Sequence, residues 1–310
     1  ERLLTAGEDG TLALWNLQNG EQIRRFFGHE KWIYRISLHS GGRLAATASG
    51  DHTVRIWDLE TGECPHVFQH RSGVQTAVFQ PEGHLLVSGT NDGEIGIWNV
   101  ETGENLHMIK AHEDIIAAMA FHPDGIDFGA VSVDENASVW NVTNGHKIFG
   151  LNRNGRHIQE VRLTEDGRLL TRILPENMLQ IWDVDKKRYV WQKADRQWEA
   201  PFSPTGDGAL TFDGADKLAF WDTRTDQCLW QKSWTEGIRK LIYSPDGENI
   251  FLLTDSGKGI FMDRLSGSIW MEMEEGLNAV AHDPDTGCFL GIRPDRIEMW
   301  YWDRTVGLDI

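Results

Sequence analysis

The sequence has few cysteines, a deficit of basic residues and no long apolar run. Cys64, Cys228 and Cys288 lie far apart, without the paired spacing that a disulfide framework or a zinc knuckle requires. Scattered thiols of this kind are typical of a reduced, cytoplasmic protein. No apolar run approaches the roughly 18 residues that a membrane span needs, so we expect no membrane contact. With 47 acidic against 30 basic residues, the net charge of -17 repels phosphate backbones, and we expect no nucleic-acid partner.

The chain instead contains a repeat, an alternating apolar run that ends in Trp-Asp or Trp-Asn and is followed by a turn. The anchors of this repeat are Trp15-Asn16, Trp57-Asp58, Trp98-Asn99, Trp140-Asn141, Trp182-Asp183, Trp221-Asp222, the variant Met262-Asp263 and a variant between Trp300 and Asp303. They recur at intervals of about 41 residues, which indicates four short strands per unit, stacked radially as the blades of a propeller.

The sequence therefore predicts an all-β fold, a β-propeller of four-stranded antiparallel blades. Counting anchors favours eight blades, with seven as the alternative. We predict a single propeller domain over residues 1–310. Because residue 1 falls inside a repeat, we also expect the domain to be a part of a longer chain.

One unit, residues 28–69, shows how the repeat predicts strands. Alternation over Ile33–Leu38 is typical of a half-buried innermost strand. Leu44–Ser49 and residues 53–57 form the second and third strands, separated by a tight turn at Gly50-Asp51-His52. Residues 64–69 form the outer strand.

Gly28-His29 and Trp57-Asp58 bracket this unit, which resembles the repeat of the WD-repeat family. The resemblance covers essentially the whole chain and is strongest over residues 1–142. It implies a buried hydrogen-bond network of His, Ser or Thr, Asp and Trp in each well-formed repeat. The matching residues are His29, Thr47, Asp51 and Trp57 in one unit and His70, Ser88, Asp92 and Trp98 in the next.

A histidine, a carboxylate and a hydroxyl could also suggest a catalytic triad. The set recurs from repeat to repeat, as a unique active site would not, so we interpret it as structural. It weakens along the chain, where Ala130 replaces the hydroxyl and Arg172 and Glu176 replace the hydroxyl and the carboxylate. We predict no catalytic residue, no cofactor and no metal site.

The later repeats carry a tryptophan in the outer strand, at Trp191, Trp230 and Trp270. These units look like blades of the quinoprotein type, in which such tryptophans dock neighbouring blades. The simplest interpretation is that the indoles are apolar wedges between blades. A quinoprotein-like propeller oxidoreductase is the catalytic alternative.

In propellers of the WD-repeat family, which the chain resembles, the start of each innermost strand is the position at which a partner could be bound. Aligned units place there Trp32 and Tyr34, then Arg156, His157 and Gln159, then Arg196 and Trp198, and then Arg239. Trp, Tyr and Arg dominate interface hot spots. The arginines predict a positive patch that selects an acidic peptide or protein.

We therefore expect a non-catalytic protein-protein interaction scaffold or ligand-sensing module. Family resemblance implies that it is part of a larger signalling or assembly protein, with other domains of the parent chain as further partners. A purely architectural subunit, held through the blade edges, is the second alternative.

Overall fold

The computed structural model describes residues 2–17, 19–152, 157–164, 168–174, 178–184, 186, 188–194, 202–212, 217–244, 246–283, 288–292 and 297–301. In side-chain detail it omits residues 152, 157–162, 172–174, 189, 194, 279, 281–283, 288–290, 292 and 297–301 as well. These described residues form strands and turns and no helix, so the fold is all-β, as predicted. The chain divides into two compact units, residues 1–175 with 181–189, and residues 176–180 with 190–310.

Four antiparallel sheets lie in the first unit. The first sheet consists of β1 (Arg2–Ala6), β2 (Leu12–Asn16) and β3 (Gln22–Phe26); the second of β4 (Ile33–Leu38), β5 (Leu44–Ser49), β6 (Thr53–Asp58) and β7 (His66–Gln69); the third of β8 (Val74–Phe79), β9 (Leu85–Thr90), β10 (Glu94–Asn99) and β11 (Asn105–Lys110); and the fourth of β12 (Ile116–Phe121), β13 (Asp127–Ser132), β14 (Asn136–Asn141) and β15 (Lys147–Asn152).

Four more sheets follow along the chain. The fifth consists of β16 (His157–Leu163), β17 (Arg168–Leu174), β18 (Met178–Asp183) and β19 (Arg188–Ala194); the sixth of β20 (Gly208–Phe212), β21 (Lys217–Asp222) and β22 (Gln227–Ser233); the seventh of β23 (Ile238–Tyr243), β24 (Asn249–Thr254), β25 (Gly259–Asp263) and β26 (Ile269–Glu272); and the eighth of β27 (Ala279–Asp283), β28 (Cys288–Ile292) and β29 (Ile297–Tyr301).

Every sheet is a meander, in which sequential strands pair as antiparallel neighbours. Eight sheets are therefore seen in the described part of the chain, at the spacing of the sequence repeat. The number of blades that close into one ring, eight with seven as the alternative, stays a prediction, as does the single domain over residues 1–310.

The apolar core consists of separate clusters between successive sheets. Between the second and third sheets, the Phe68 ring stacks on the Trp98 indole with centroids 4.6 Å apart and planes 10° apart. Val54 and Leu86 join the same cluster and are fully buried. Burying one such side chain stabilises the fold by about 1.5–3 kcal/mol. Each sheet thus depends on its neighbour for its core, which is the physical basis of a repeat fold.

The turn between the second and third strands requires a left-handed residue directly after the network aspartate position. This residue is His52 (φ 73°) in the second sheet, Gly93 (φ 82°) in the third and Glu135 (φ 71°) in the fourth. His52 and Glu135 are therefore strained relative to a glycine. All three turns adopt the left-handed conformation, although only the turn of the third sheet has a glycine at this position.

Candidate functional site

The second sheet contains a complete buried hydrogen-bond network. The Trp57 indole N–H donates to Thr47 Oγ1 at 2.8 Å, and Thr47 Oγ1 lies 2.6 Å from His29 Nε2. His29 Nδ1 in turn lies 2.7 Å from Asp51 Oδ2. A neutral His29 with its proton on Nδ1 satisfies every member of this network, which connects the turn of Asp51 to the third strand.

The third sheet keeps only part of the network. Trp98 Nε1 donates to Ser88 Oγ at 2.8 Å, and Ser88 Oγ lies 3.0 Å from His70 Nε2. Asp92 does not bond to His70, contrary to the prediction; its carboxylate accepts from the Thr90 hydroxyl at 2.6 Å. His70 Nδ1 is buried and has no partner among the described atoms. A threonine two residues before the aspartate competes for the carboxylate.

The fourth sheet restores the network through a residue that sequence reasoning missed. Ser138 on β14 lies directly across from Ala130 on β13. Its Oγ lies 2.7 Å from His112 Nε2 and accepts from the Trp140 indole at 2.7 Å. His112 Nδ1 lies 3.1 Å from Asp134 Oδ2. In this sheet the network hydroxyl comes from β14 instead of β13. His112 and Trp140 therefore keep a hydroxyl partner although residue 130 is an alanine.

Ser138, His112 and Asp134 reproduce the connectivity of a Ser-His-Asp triad. Ser138 is 0% exposed, so its oxygen is closed to a substrate. That oxygen also accepts the Trp140 indole N–H, which ties it into the core. The geometry supports a structural role for the set.

Burial controls the protonation of these histidines. Desolvation lowers the pKa of His70 to about 4, and the charge of Asp92 opposes this only weakly. Desolvation also lowers the pKa of His29 and His112, although Asp51 and Asp134 raise it in part. All three histidines are therefore neutral near pH 7, as the networks require.

The second unit replaces the polar network by packing. In the sixth sheet Trp221 Nε1 still donates to Thr211 Oγ1 at 2.9 Å. Lys193, which stands where the second, third and fourth sheets have histidine, places its ammonium group 4.2 Å from the centre of the Trp221 ring. In the seventh sheet the three network positions are Trp234, Leu252 and Met262, which lie in one buried apolar cluster. This substitution explains why the repeat is hard to recognise there.

The outer-strand tryptophans dock on the turn of the next sheet. Trp230 Nε1 donates to the carbonyl oxygen of Arg264 at 2.7 Å. A Cβ placed on Gly267 would lie 2.7 Å from Trp230 Cδ2, so the indole lies flat on this glycine. Trp191 Nε1 similarly donates to Asp226 in the equivalent turn, at 3.1 Å.

The same docking position occurs in the first unit with other planar side chains. Arg24 donates to the carbonyl oxygens of Thr61 (2.7 Å) and Glu60 (3.0 Å), and it covers Gly62. His107 Nε2 lies 3.2 Å from the Thr143 carbonyl oxygen. The tryptophans are thus one form of a general contact between sheets, as the interpretation as wedges predicted. The described contacts assign Trp191 and Trp230 to packing.

Trp32 and Tyr34 lie at the surface, 53% and 40% exposed. Ile33 pairs with Ser49 and Arg35 with Ala48, so Tyr34 is the extra residue of a β-bulge. Bulges redirect a side chain without ending the strand.

The same bulge recurs at the equivalent position of four further innermost strands, whereas the described ladder of β27 continues without a shift in register. The bulged residues after Tyr34 are Gln75 on β8, Ala117 on β12, Gln159 on β16 and Arg239 on β23. The backbone thus presents one side chain per sheet at a fixed position. Sequence alignment found the position, but only the ladder registers reveal the bulge.

The predicted positive patch lies mostly outside the described residues. Arg156, Arg196 and Trp198 are outside them, and His157 and Gln159 are described only in their backbone. Arg239 is exposed, and its guanidinium group donates to the Asp255 carbonyl oxygen.

The carboxylate of Asp255 lies beside Arg239. Arg239 Nε lies 3.8 Å from Asp255 Oδ1. Glu236 accepts from the Ser256 amide at 3.1 Å in the adjoining turn. Arg239 is therefore balanced by negative charge and does not present an isolated cation.

Among the described side chains, no group of three or more His, Cys, Asp and Glu residues is arranged to hold a metal ion. The part of the chain with assigned structure contains no helix with the length and hydrophobicity of a membrane span.

Comparison with known proteins identifies relatives over part of the chain. Eukaryotic translation initiation factor 3 subunit I of Meyerozyma guilliermondii is 34% identical over 80 residues, which is 26% of this chain and 23% of the relative. The corresponding subunit of Aspergillus fumigatus is 32% identical over 80 residues, 26% of this chain and 24% of the relative. The match spans about a quarter of the length of these curated relatives.

The fold has a close counterpart among solved structures. The computationally designed Ika8 protein superposes with a TM-score of 0.75 at 17% sequence identity, covering 97% of this chain and 93% of that one. Such a likeness concerns the fold alone. The family model described as the IFT122 first beta-propeller matches residues 1–258. The chain therefore belongs to the family of the IFT122 first β-propeller, and its fold is the β-propeller of the WD-repeat proteins.

Proposed function

We propose that this protein is a non-catalytic interaction module that binds a partner protein through Trp32 and Tyr34. One observation carries the proposal. The three most exposed aromatic side chains of the described residues are Phe27 (69%), Trp32 (53%) and Tyr34 (40%). Phe27 and Trp32 lie in the segment that joins the first and second sheets, and Tyr34 lies at the start of β4. Large aromatic side chains in water mark interaction surfaces, because leaving them exposed forgoes burial energy.

The relatives support a role within an assembly. The initiation-factor proteins are named as subunits, and the matching family model is named as the first propeller of a longer protein. We infer that this module likewise acts in a multi-component complex, with other parts of its parent chain as further contacts. Its scattered thiols support a cytoplasmic location.

We further propose that the partner protein is acidic, as the arginines of the predicted positive patch indicate. This proposal depends on Arg156, Arg196 and Trp198. Arg239 is a poor contact for an acidic partner, because the carboxylate of Asp255 beside it balances its charge.

A lysate pull-down read by mass spectrometry tests the proposal. Trp32→Ala/Tyr34→Ala should lose the captured partner with an unchanged melting curve. Val67→Ala/Leu106→Ala is the matched control, because these apolar side chains are 47% and 37% exposed on outer strands. Retention of the partner by the aromatic variant would refute the proposal.

The control also tests a second candidate, an architectural subunit held through blade edges. Exposed apolar side chains on the outer strands, among them Val67 and Met108, favour that candidate. Loss of the partner from Val67→Ala/Leu106→Ala alone would establish it. Loss only from Arg196→Glu/Trp198→Ala would instead favour the acidic partner.

A further inference from the structure

The outer strand of the fourth sheet has a glycine where the two preceding sheets have a larger side chain. Gly150 on β15 lies directly across from Ser138 on β14. The residues at the equivalent position of the second and third sheets are Val67 and Met108. Gly150 does not have a positive φ, so its backbone does not require a glycine. A glycine inside a strand often marks a place that another group approaches closely.

An open cavity of about 500 Å³ lies beside this glycine. Small-molecule sites in proteins have volumes of roughly 300–1,000 Å³. The described residues that line the cavity include Ala111, Glu113, Asp134, Lys147, Gly150 and Leu151. None of these residues lies on an innermost strand, so the cavity is separate from the surface of Trp32 and Tyr34. Its lysine, its glutamate and its glycine are exposed, which leaves it open to a ligand.

Lys147 brings a positive charge to the cavity. Its ammonium group lies 5.6 Å from the centre of the Trp140 ring. A Cβ on Gly150 would lie 2.9 Å from Lys147 Nζ, so the glycine makes room for the ammonium group. Four other described lysines form an ion pair with a carboxylate. No carboxylate of the described residues does so with Lys147, and its charge is therefore available to a ligand.

Two carboxylates also line the cavity, and one of them is available. Asp134 is bonded to His112 and accepts from the amides of Glu113 (2.8 Å) and Asn136 (3.0 Å), so its oxygens are satisfied. The Glu113 side chain is 87% exposed, and its ion pair with Lys110 is long, at 3.9 Å. Exposed pairs of this kind contribute little to stability, so Glu113 can turn toward another cation at little cost.

We propose that this cavity binds a zwitterionic amino acid with an aliphatic side chain. The carboxylate of the ligand lies against Lys147, and its ammonium group lies against Glu113. Its aliphatic side chain fills the space above Gly150, beside Ala111 and Leu151. A ligand with one charge of each sign matches the lining, because a simple anion would meet the carboxylates and a simple cation would meet the lysine. Binding at this cavity is independent of the partner surface in the proposed function.

Isothermal titration calorimetry of the full chain with leucine and two analogues tests this proposal. Isocaproate lacks the amino group of leucine, and isoamylamine lacks its carboxylate. We expect leucine to bind. Each analogue should bind about fivefold more weakly, which corresponds to the loss of one exposed ion pair at the upper end of its usual strength.

Substitutions in the lining should separate the two charges. Gly150→Val should abolish binding by filling the cavity, and the fold should tolerate it because the atoms it displaces are the flexible end of Lys147. Lys147→Met should weaken leucine by about fivefold without weakening isoamylamine, and Glu113→Gln should weaken leucine without weakening isocaproate. Met108→Val, at the equivalent position of the third sheet, is the matched control and should bind leucine normally.

The absence of any heat of binding from leucine would overturn the inference. Binding of either analogue as tightly as leucine would overturn it as well, because both charges are then not needed. Unchanged leucine binding by a folded Gly150→Val protein would place the site elsewhere. Should the melting curve show that Gly150→Val is unfolded, Lys147→Met decides, and unchanged leucine binding by that variant would refute the site.

Discussion

Docking of Trp230 on Gly267 makes a sharp prediction about the contact between sheets. Gly267 has a φ of 65°, and a Cβ added to it would lie 2.7 Å from Trp230 Cδ2 and 2.8 Å from Cε2. Gly267→Ala therefore combines two penalties. A left-handed alanine costs about 1–2 kcal/mol, and forcing the indole aside costs about 1–3 kcal/mol more.

A matched position separates the two penalties. Gly20 occupies the same place in the turn of the first sheet, with a φ of 70°, and a Cβ there would meet no described atom within 4 Å. Gly20→Ala should therefore show only the backbone penalty of about 1–2 kcal/mol. In a Trp230→Ala background the steric penalty at Gly267 should disappear. Gly267→Ala should then destabilise the fold by about as much as Gly20→Ala does.

Denaturant unfolding followed by circular dichroism measures these differences, read as changes in midpoint at a constant slope. The interaction free energy between positions 230 and 267 should be about 1–3 kcal/mol, in the range of residues in direct contact. Equal destabilisation by Gly267→Ala with and without Trp230 would refute the docking.

Two further predictions concern the buried networks. Ser138→Ala should destabilise the fold by about 1–3 kcal/mol, because His112 loses its hydroxyl partner, and adding Ala130→Ser should restore at least half of this in denaturant unfolding; no rescue would contradict the transfer of the hydroxyl across the strands. His70 has its pKa lowered from 6.5 to about 4, so the folded state binds the proton less well than the unfolded state, and its contribution is present above pH 6.5 and is lost as pH falls toward 4. The loss amounts to about 3 kcal/mol, and stability measured against pH in His70→Gln should be flatter over this window; the same pH dependence in both proteins would contradict it.

The sequence repeat was sufficient to predict the strands of the best-formed units. The predicted spans Ile33–Leu38 and Leu44–Ser49 match β4 and β5, because both ends are set by turn residues. The outer strand was predicted from residue 64 but begins at His66, directly after Pro65, which has no amide N–H to donate to a strand ladder.

Side-chain connectivity was harder to predict than strands. Ser138 could not be predicted because the repeat pattern places the hydroxyl on the second strand, whereas two residues that pair across neighbouring strands can exchange roles. The resemblance to the WD-repeat family implied a bond between Asp92 and His70, but the Thr90 hydroxyl donates to Asp92 instead. Spacing specifies which backbone positions are close, but competition among nearby donors decides which bond forms.

The position of Trp32 and Tyr34 could be predicted, but the backbone contacts beside them could not. The turn residues Gly50, Asn91 and Val133 lie beside the starts of the innermost strands, because their amides donate to the carbonyl oxygens of Trp32, Gly73 and Ile115. No sequence pattern marks those bonds, and the bulge at Tyr34 is visible only as a shift in register.

Hydrogen–deuterium exchange of the protein with its captured partner tests the central claim most directly. We predict that bound partner slows exchange in the segments around Tyr34, Gln75 and Ala117, where the innermost strands begin. Protection confined to the outer strands β7, β11 and β15, with unchanged exchange around Tyr34, would contradict the account.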